Sequence, residues 1–232
     1  MMWCLWSAKG GSGCSTVSAG LAVLAARRGP TLLVDLAGDQ PALLGVADES
    51  DPEGRRVGVG DWLLAPHPPP DALGRLERPV NDRLALLPAG EPLGARDPAE
   101  LEGRWRLLGA LLAGDGRDVV IDCGTHWRHA RPLLGLSPWS LLVTRACFLG
   151  LRRSARGPTP DGVILVREPQ RAITAADAAA AVGAAVVAVV PTDPAVARAV
   201  DAGLLLRRLP RSFRPLDRLL DLPDLRPEPA GR

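Results

Sequence analysis

Hydrophobic residues in this chain fall in short runs, each closed by a charge, a glycine or a proline. Trp3–Trp6, Thr31–Asp35, Arg83–Leu87, Asp118–Asp122, Ser140–Thr144, Gly162–Val166 and Ala185–Val190 are too short for helices and read as strands. Between them lie helical patterns. Val17–Arg27 is rich in Ala and Leu, and over 98–112 Leu101, Trp105, Leu108 and Leu112 share one face, which places Trp105 in the core. Thr174 and Asp177 form a capping-box start to a helix over 175–182. Shorter helical pieces are expected at Pro41–Leu44, Val59–Leu64, 71–77 and 212–221, the last interrupted by Pro215. The prediction is an α/β fold with a mostly parallel, doubly wound sheet of seven or eight strands and helices on both faces. It occupies residues 1–222, and residues 223–232 are expected to be a disordered tail.

A chain of 232 residues with 47% apolar content is long enough for one sizeable core. The net charge of +2 gives no field for nucleic acid or anionic lipid, and no specific nucleic acid partner is expected. No apolar run reaches the roughly 18–20 residues that span a bilayer. The short 212–221 piece carries Asp217 and Asp221, unlike a basic amphipathic anchor. Cys4, Cys14, Cys123 and Cys147 show neither CxxC nor zinc spacing, so free thiols in a reducing compartment are expected. The opening residues run straight into a strand with no basic region before it, and a cytoplasmic protein is the expectation.

The candidate chemistry sits at residues 7–16, S-A-K-G-G-S-G-C-S-T, between the first strand and the first helix. Gly10, Gly11 and Gly13 allow a tight turn that points backbone N–H groups inward, and the helix N-terminus adds its positive dipole end. Ser12, Ser15 and Thr16 complete the loop, with Ser15 placed to ligate Mg²⁺ and Thr16 to touch a phosphate. Among 28 basic residues the one lysine is Lys9, inside this loop. An ammonium is a compact point charge on a flexible stem, which a guanidinium is not.

The stretch resembles the deviant Walker A loop of the ParA/MinD superfamily, K-G-G-x-G-K-[ST]-[ST]. The resemblance makes Lys9 the signature lysine, which reaches the partner subunit's phosphates in nucleotide-sandwich dimers. It also puts Cys14 where the phosphate-loop lysine stands. A small residue there is similar to the CpaE/TadZ branch, the ParA-like proteins of Tad-type pilus systems. Asp118–Gly124 resembles the Walker B strand, which implies that Asp122 holds the Mg²⁺ shell through water. The second strand of relatives ends D-x-D, whose second Asp orients the attacking water. Here Asp35 is followed by Ala37, and Asp39 lies two residues further on. Asp39 either replaces the missing carboxylate across a bulged loop or caps the next short helix. Residues 83–90 match the family's L-x-x-L-P-x-G only loosely. Val166 replaces the Asn that reads adenine in relatives. Pro191-Thr192-Asp193 matches a segment that packs beside adenine in relatives, although Asp193 is equally an N-cap.

Arg152, Arg153 and Arg156 follow the Ser140–Thr144 strand and form either a solvated face or a site for an acidic partner. His67 lies alone among prolines and reads as solvated. His126 and His129 are spaced for a metal, but no third ligand is evident, and a surface helix turn or a partner-facing patch is the reading, the latter strengthened if Trp127 is exposed.

The implied cofactors are ATP and Mg²⁺. Loss of one charged hydrogen bond costs about 1.5–3 kcal/mol, so weak binding is expected without the loop lysine. A helix N-terminus lowers a thiol's pKa, and a Cys14 thiolate would repel phosphate. With Ala37 in the switch strand, hydrolysis is expected to be slow or absent. The resemblance therefore implies a homodimeric, nucleotide-responsive positioning factor acting with pilus, secretion or division machinery, recruited to the membrane by a partner. An active ParA/MinD ATPase and a nucleotide-free scaffold are the two alternatives.

Overall fold

Met2–Trp6 (β1) is buried along its whole length, and its side chains divide between two cores. Trp3 and Leu5 pack on one face of the sheet, Met2, Cys4 and Trp6 on the other. A strand covered on both faces needs no polar alternation, and its sequence is apolar throughout. The computed structural model describes residues 1–47, 54–92 and 98–222.

The other strands are Thr31–Asp35 (β2), Arg78–Pro79 (β3), Leu84–Leu87 (β4), Asp118–Gly124 (β5), Trp139–Arg145 (β6), Gly162–Arg167 (β7) and Val186–Pro191 (β8). Among the described residues these eight form one sheet in the order β3-β4-β2-β5-β1-β6-β7-β8. All neighbours are parallel except β3 with β4. The strand order changes direction at β1: the chain first builds outward through β2, then returns to β6 on the other side. Such a switch point opens a crevice at the carboxyl ends of the strands, where ligands bind in open α/β sheets.

Cys14–Arg28 (α1) covers the Trp3 and Leu5 face, joined by 3₁₀ turns over Arg211–Asp221. There Phe213 lies so close that a Cβ on Gly20 would stand 2.7 Å from its ring. Gln40–Leu44 (α2) and Pro194–Asp201 (α9) flank this layer. The opposite face carries Val59–Leu64 (α3), Ala72–Leu76 (α4), Glu102–Ala113 (α5) and Arg131–Leu136 (α6). Trp105 on α5 is a core residue there, as its spacing predicts. Phe148–Ser154 (α7) and Ala175–Val182 (α8) close a smaller cluster against β7.

The structure differs from the sequence reading at several edges. Helix α1 begins at Cys14, three residues before the apolar pattern starts, because Ser15 and Thr16 form its first turn over the site. Pro215 is accommodated inside 3₁₀ turns rather than an α-helix, whose i→i−4 ladder it would break. Strand β3 and helix α6 were not anticipated. The expected tail, 223–232, lies outside the described residues. Among the described residues no helix is long and apolar enough to cross a membrane.

Candidate functional site

The loop leaving β1 is fixed by its own backbone. The Ser7 N–H donates to Gly124 O at 2.8 Å, and the Ser12 hydroxyl donates to Lys9 O at 2.7 Å. Gly11 and Gly13 adopt left-handed φ values of 73° and 86°, which residues with a Cβ rarely take. Val17 N–H then donates to Gly13 O at 2.9 Å and opens α1. The result is a cavity of about 310 Å³, lined by residues 10–16 on one side and by Ala37, Asp39 and Gly124–His126 on the other. The first turn of α1 carries no acidic residue of its own, and its positive end faces the cavity.

Behind the loop stand two buried carboxylates. Asp35 and Asp122 are register partners on β2 and β5, and both are 0% exposed. Asp35 Oδ1 accepts the N–H groups of Ala37 and Gly38 at 2.9 and 2.7 Å, and Oδ2 accepts that of Gln40 at 3.0 Å. Its carboxylate therefore shapes the turn after β2. Asp122 accepts from the Gln40 side-chain amide at 2.8 Å and from Gly124 N–H at 3.0 Å. Burial and then the charge of Asp122 push the Asp35 carboxyl up to about 7, against the three N–H bonds that favour its ionised form. Burial raises Asp122 as well. Among the described residues neither carboxylate forms an ion pair.

Gln40 is the site residue that sequence reasoning missed. Its amide NH₂ bridges Ser15 O at 3.0 Å and Asp122, and its Oε1 is buried without a partner. Position alone, directly after the switch segment, was the available signal, because a buried amide leaves no mark in a hydrophobic pattern.

The remaining predicted residues fall as follows. The Ser15 hydroxyl donates to Asp39 Oδ2 at 3.2 Å. Asp39 occupies the N-cap position of α2, but its side chain does not cap; Gly38, at φ 89°, turns it toward Ser15 instead. Asp39 thus holds the N-cap position that the capping alternative gives it, but Asp35 rather than the Asp39 side chain supplies the acceptor to the first N–H of the helix. The Cys14 thiolate expectation is corrected. Burial first, and Asp122 next, raise the Cys14 thiol well above its ordinary range, outweighing the helix end, so it remains a neutral thiol. Lys9 is not among the residues that line the cavity. Its ammonium touches only Gly10 O, at 3.4 Å, and forms no ion pair among the described residues.

Val166 is buried and packs under the loop, 3.8 Å from where a Gly13 Cβ would stand. Pro191 ends β8, and Asp193 caps α9 by accepting the Ala195 N–H at 2.7 Å. Among the described residues neither lines the loop cavity. Trp127 is half-buried, its ring 5.6 Å from that of Trp6 and 5.0 Å from the Arg128 guanidinium carbon, so it does not add the exposed indole that would strengthen a partner-facing patch. His126 lines the loop cavity and His129 does not, and among the described residues no three His, Cys, Asp or Glu side chains cluster as a metal cage.

These residues fit a hard cation held partly by a phosphate ligand. The donor set is oxygen only, from Ser15, Asp39 and Asp122, with an orphaned Gln40 carbonyl nearby. Mg²⁺ typically takes one or two carboxylates plus substrate phosphates and water. Two buried carboxylates without a counter-charge are the arrangement that such an ion relieves.

Residues 3–206 match the family described as the CobQ/CobB/MinD/ParA nucleotide binding domain. The chain belongs to that family. Among solved structures it is similar to a ParA family ATPase from Chlorobium tepidum, with 16% identity, TM-score 0.70, and 94% of this chain and 96% of that one covered. It is also similar to the septum site-determining protein MinD of Pyrococcus horikoshii complexed with Mg-ADP (21% identity, TM-score 0.68, 95% and 96% covered). The cell division ATPase MinD of Pyrococcus furiosus is a third (23%, 0.69, 95% and 99%). Among curated protein sequences none matches this chain.

Proposed function

We propose that this protein is a degenerate ParA/MinD-type positioning factor that binds ATP with Mg²⁺ weakly and hydrolyses it slowly or not at all. One observation carries the reading. The phosphate cradle and the Ser15–Asp39 and Gln40–Asp122 network are intact, while a neutral, buried thiol replaces the loop ammonium. Binding then rests on backbone N–H groups, the helix end and the oxygen ligands. Mg²⁺ would be held by Ser15, with Asp122 behind it, and would neutralise phosphate charge. Ala37 offers no carboxylate to orient water, and Asp39 is engaged by Ser15. Lys9, free and at the surface, is placed to serve the phosphates of a second copy in a nucleotide-held homodimer.

A CpaE/TadZ-like role, recruiting pilus, secretion or division machinery, goes with this reading. Support comes from α7, which leaves Phe148 69% and Leu149 56% exposed next to the exposed Arg152 and Arg153. An apolar pair framed by cations suits an acidic partner better than plain solvation.

The test combines phosphate release with light scattering in ATP and Mg²⁺, beside the Chlorobium tepidum ATPase. The expected result is turnover far below that enzyme's, with nucleotide doubling the mass and Lys9→Ala abolishing the doubling. Comparable turnover would establish the active-ATPase alternative. Unchanged mass in both proteins, with no bound nucleotide, would leave a scaffold.

A further inference from the structure

Strand β8 forms an outer edge of the sheet. Its sequence, V-V-A-V-V-P, carries no charge, and its proline stands at the very end. Edge strands are ordinarily blunted by charges, prolines or bulges, because their open N–H and C=O groups invite another strand. Here the blunting is confined to one end. Val186 pairs with Val163 and Ala188 with Ile164, which leaves Val187 as an extra, bulged residue. From Ala188 to Pro191 the register with β7 is regular. The Thr192 N–H donates to Arg167 O at 2.9 Å. Alternate residues of a parallel strand bond to the same neighbour, so Val190 faces β7 as Thr192 does, and Val189 and Pro191 turn their backbone groups to the open edge. Pro191 has only a carbonyl to offer there, whereas Val189 has a donor and an acceptor.

A groove of about 410 Å³ lies beside this strand, lined by residues 186–189, Arg214, Pro215 and Arg218. Successive side chains of a strand point to opposite faces, so four consecutive lining residues place the groove at the edge rather than over one face. Its other wall is the 3₁₀ segment that packs next to β8. Arg214 and Arg218 are exposed, and neither has a hydrogen bond or ion pair among the described residues. No acidic side chain lines the groove among the described residues, and the nearby Asp217 and Asp221 bear on Arg28.

We propose that the β8 edge accepts an extended, acidic segment of another protein as an added strand. Main-chain hydrogen bonds to Val189 hold the segment, and carboxylates on its alternate residues reach Arg214 and Arg218. A second copy of this chain suits the edge less well. Two β8 strands paired antiparallel are related by a two-fold axis normal to the sheet, which would bring both copies' arginines to the same face. The groove shares no residue with the loop cavity, so loss of ATP binding leaves the proposal standing.

The probe is a capped, fluorescein-labelled seven-residue peptide in which Glu and Val alternate, titrated with the full chain without nucleotide and followed by fluorescence anisotropy. One control carries Lys in place of Glu, and a second is N-methylated along its backbone so that it cannot donate. The acidic peptide is expected to bind at least about tenfold more tightly than either control. Replacing both arginines, Arg214→Ser with Arg218→Ser, weakens it several-fold, as befits exposed charges. Amide hydrogen exchange at Val189 slows when the acidic peptide is bound. The proposal is overturned if the acidic peptide does not bind, if the N-methylated peptide binds as well, or if the double substitution leaves the affinity unchanged. It is equally overturned if Val189 exchange does not respond, or if the free chain already protects that amide by pairing with a second copy.

Discussion

Cys14→Lys tightens Mg²⁺–ATP binding roughly ten- to a hundredfold, measured with a fluorescent ATP analogue. The magnitude is that of one charged hydrogen bond, about 1.5–3 kcal/mol, gained by the β- and γ-phosphates. The position is suited to the gain. Cys14 is the first residue of α1 and lines the loop cavity, so a lysine introduced there starts beside the phosphate cradle. The thiol itself contributes nothing to phosphate binding, since burial and Asp122 keep it neutral. Cys14→Ala should therefore leave the affinity within about twofold of wild type. Turnover is not expected to return with the lysine, because Ala37 still lacks the water-orienting carboxylate. If Cys14→Lys folds and leaves the affinity unchanged, phosphates do not lie over residues 10–16.

The second large effect is on stability against pH in the nucleotide-free protein. Asp35 titrates near 3.8 when unfolded and at about 7 in the folded chain. Between those values the native state holds a proton that the unfolded state has released. Stability is therefore greatest at the acid end of that window and falls as pH rises through it, by up to about 4 kcal/mol for a shift of this size. Asp122 is raised in the same direction and steepens the loss. Urea midpoints from pH 4.5 to 8 should decline steadily. Asp35→Asn, which cannot ionise, should flatten the slope, although its amide NH₂ cannot accept all three backbone N–H groups. Saturating Mg²⁺ and ATP should reduce or reverse the decline, because a bound cation favours the ionised carboxylates. A wild-type midpoint that rises between pH 5 and 8 would mean that the pair carries a counter-charge.

The legible parts of the fold were those with local cause. Strand β2, helix α3 and helix α8 lie at the bounds that their apolar runs, flanking glycines and the Thr174–Asp177 box indicate. Strand β3 is an Arg-Pro pair, too short and too polar to show a period. Helix α6 has only six residues, with Pro132 in its first turn. The glycine loop and the two strand-end aspartates were readable because their residue types and spacing carry their purpose. The division of labour among the polar groups was not. That Asp35 shapes a turn, that Asp39 faces Ser15 rather than capping α2, and that Gln40 bridges α1 to β5 depend on which strands lie side by side. Cys14 shows the same limit. Its place at a helix N-terminus suggested a thiolate, and burial against Asp122 decides otherwise.

The measurement that bears most directly on the whole account is a calorimetric titration of ATP into the wild-type chain, with Mg²⁺ and again with the metal chelated. The account predicts saturable binding of one nucleotide per chain, clearly weaker without Mg²⁺ and weaker again in Ser15→Ala. A flat titration at millimolar ATP, with a melting temperature that nucleotide does not move, would contradict it.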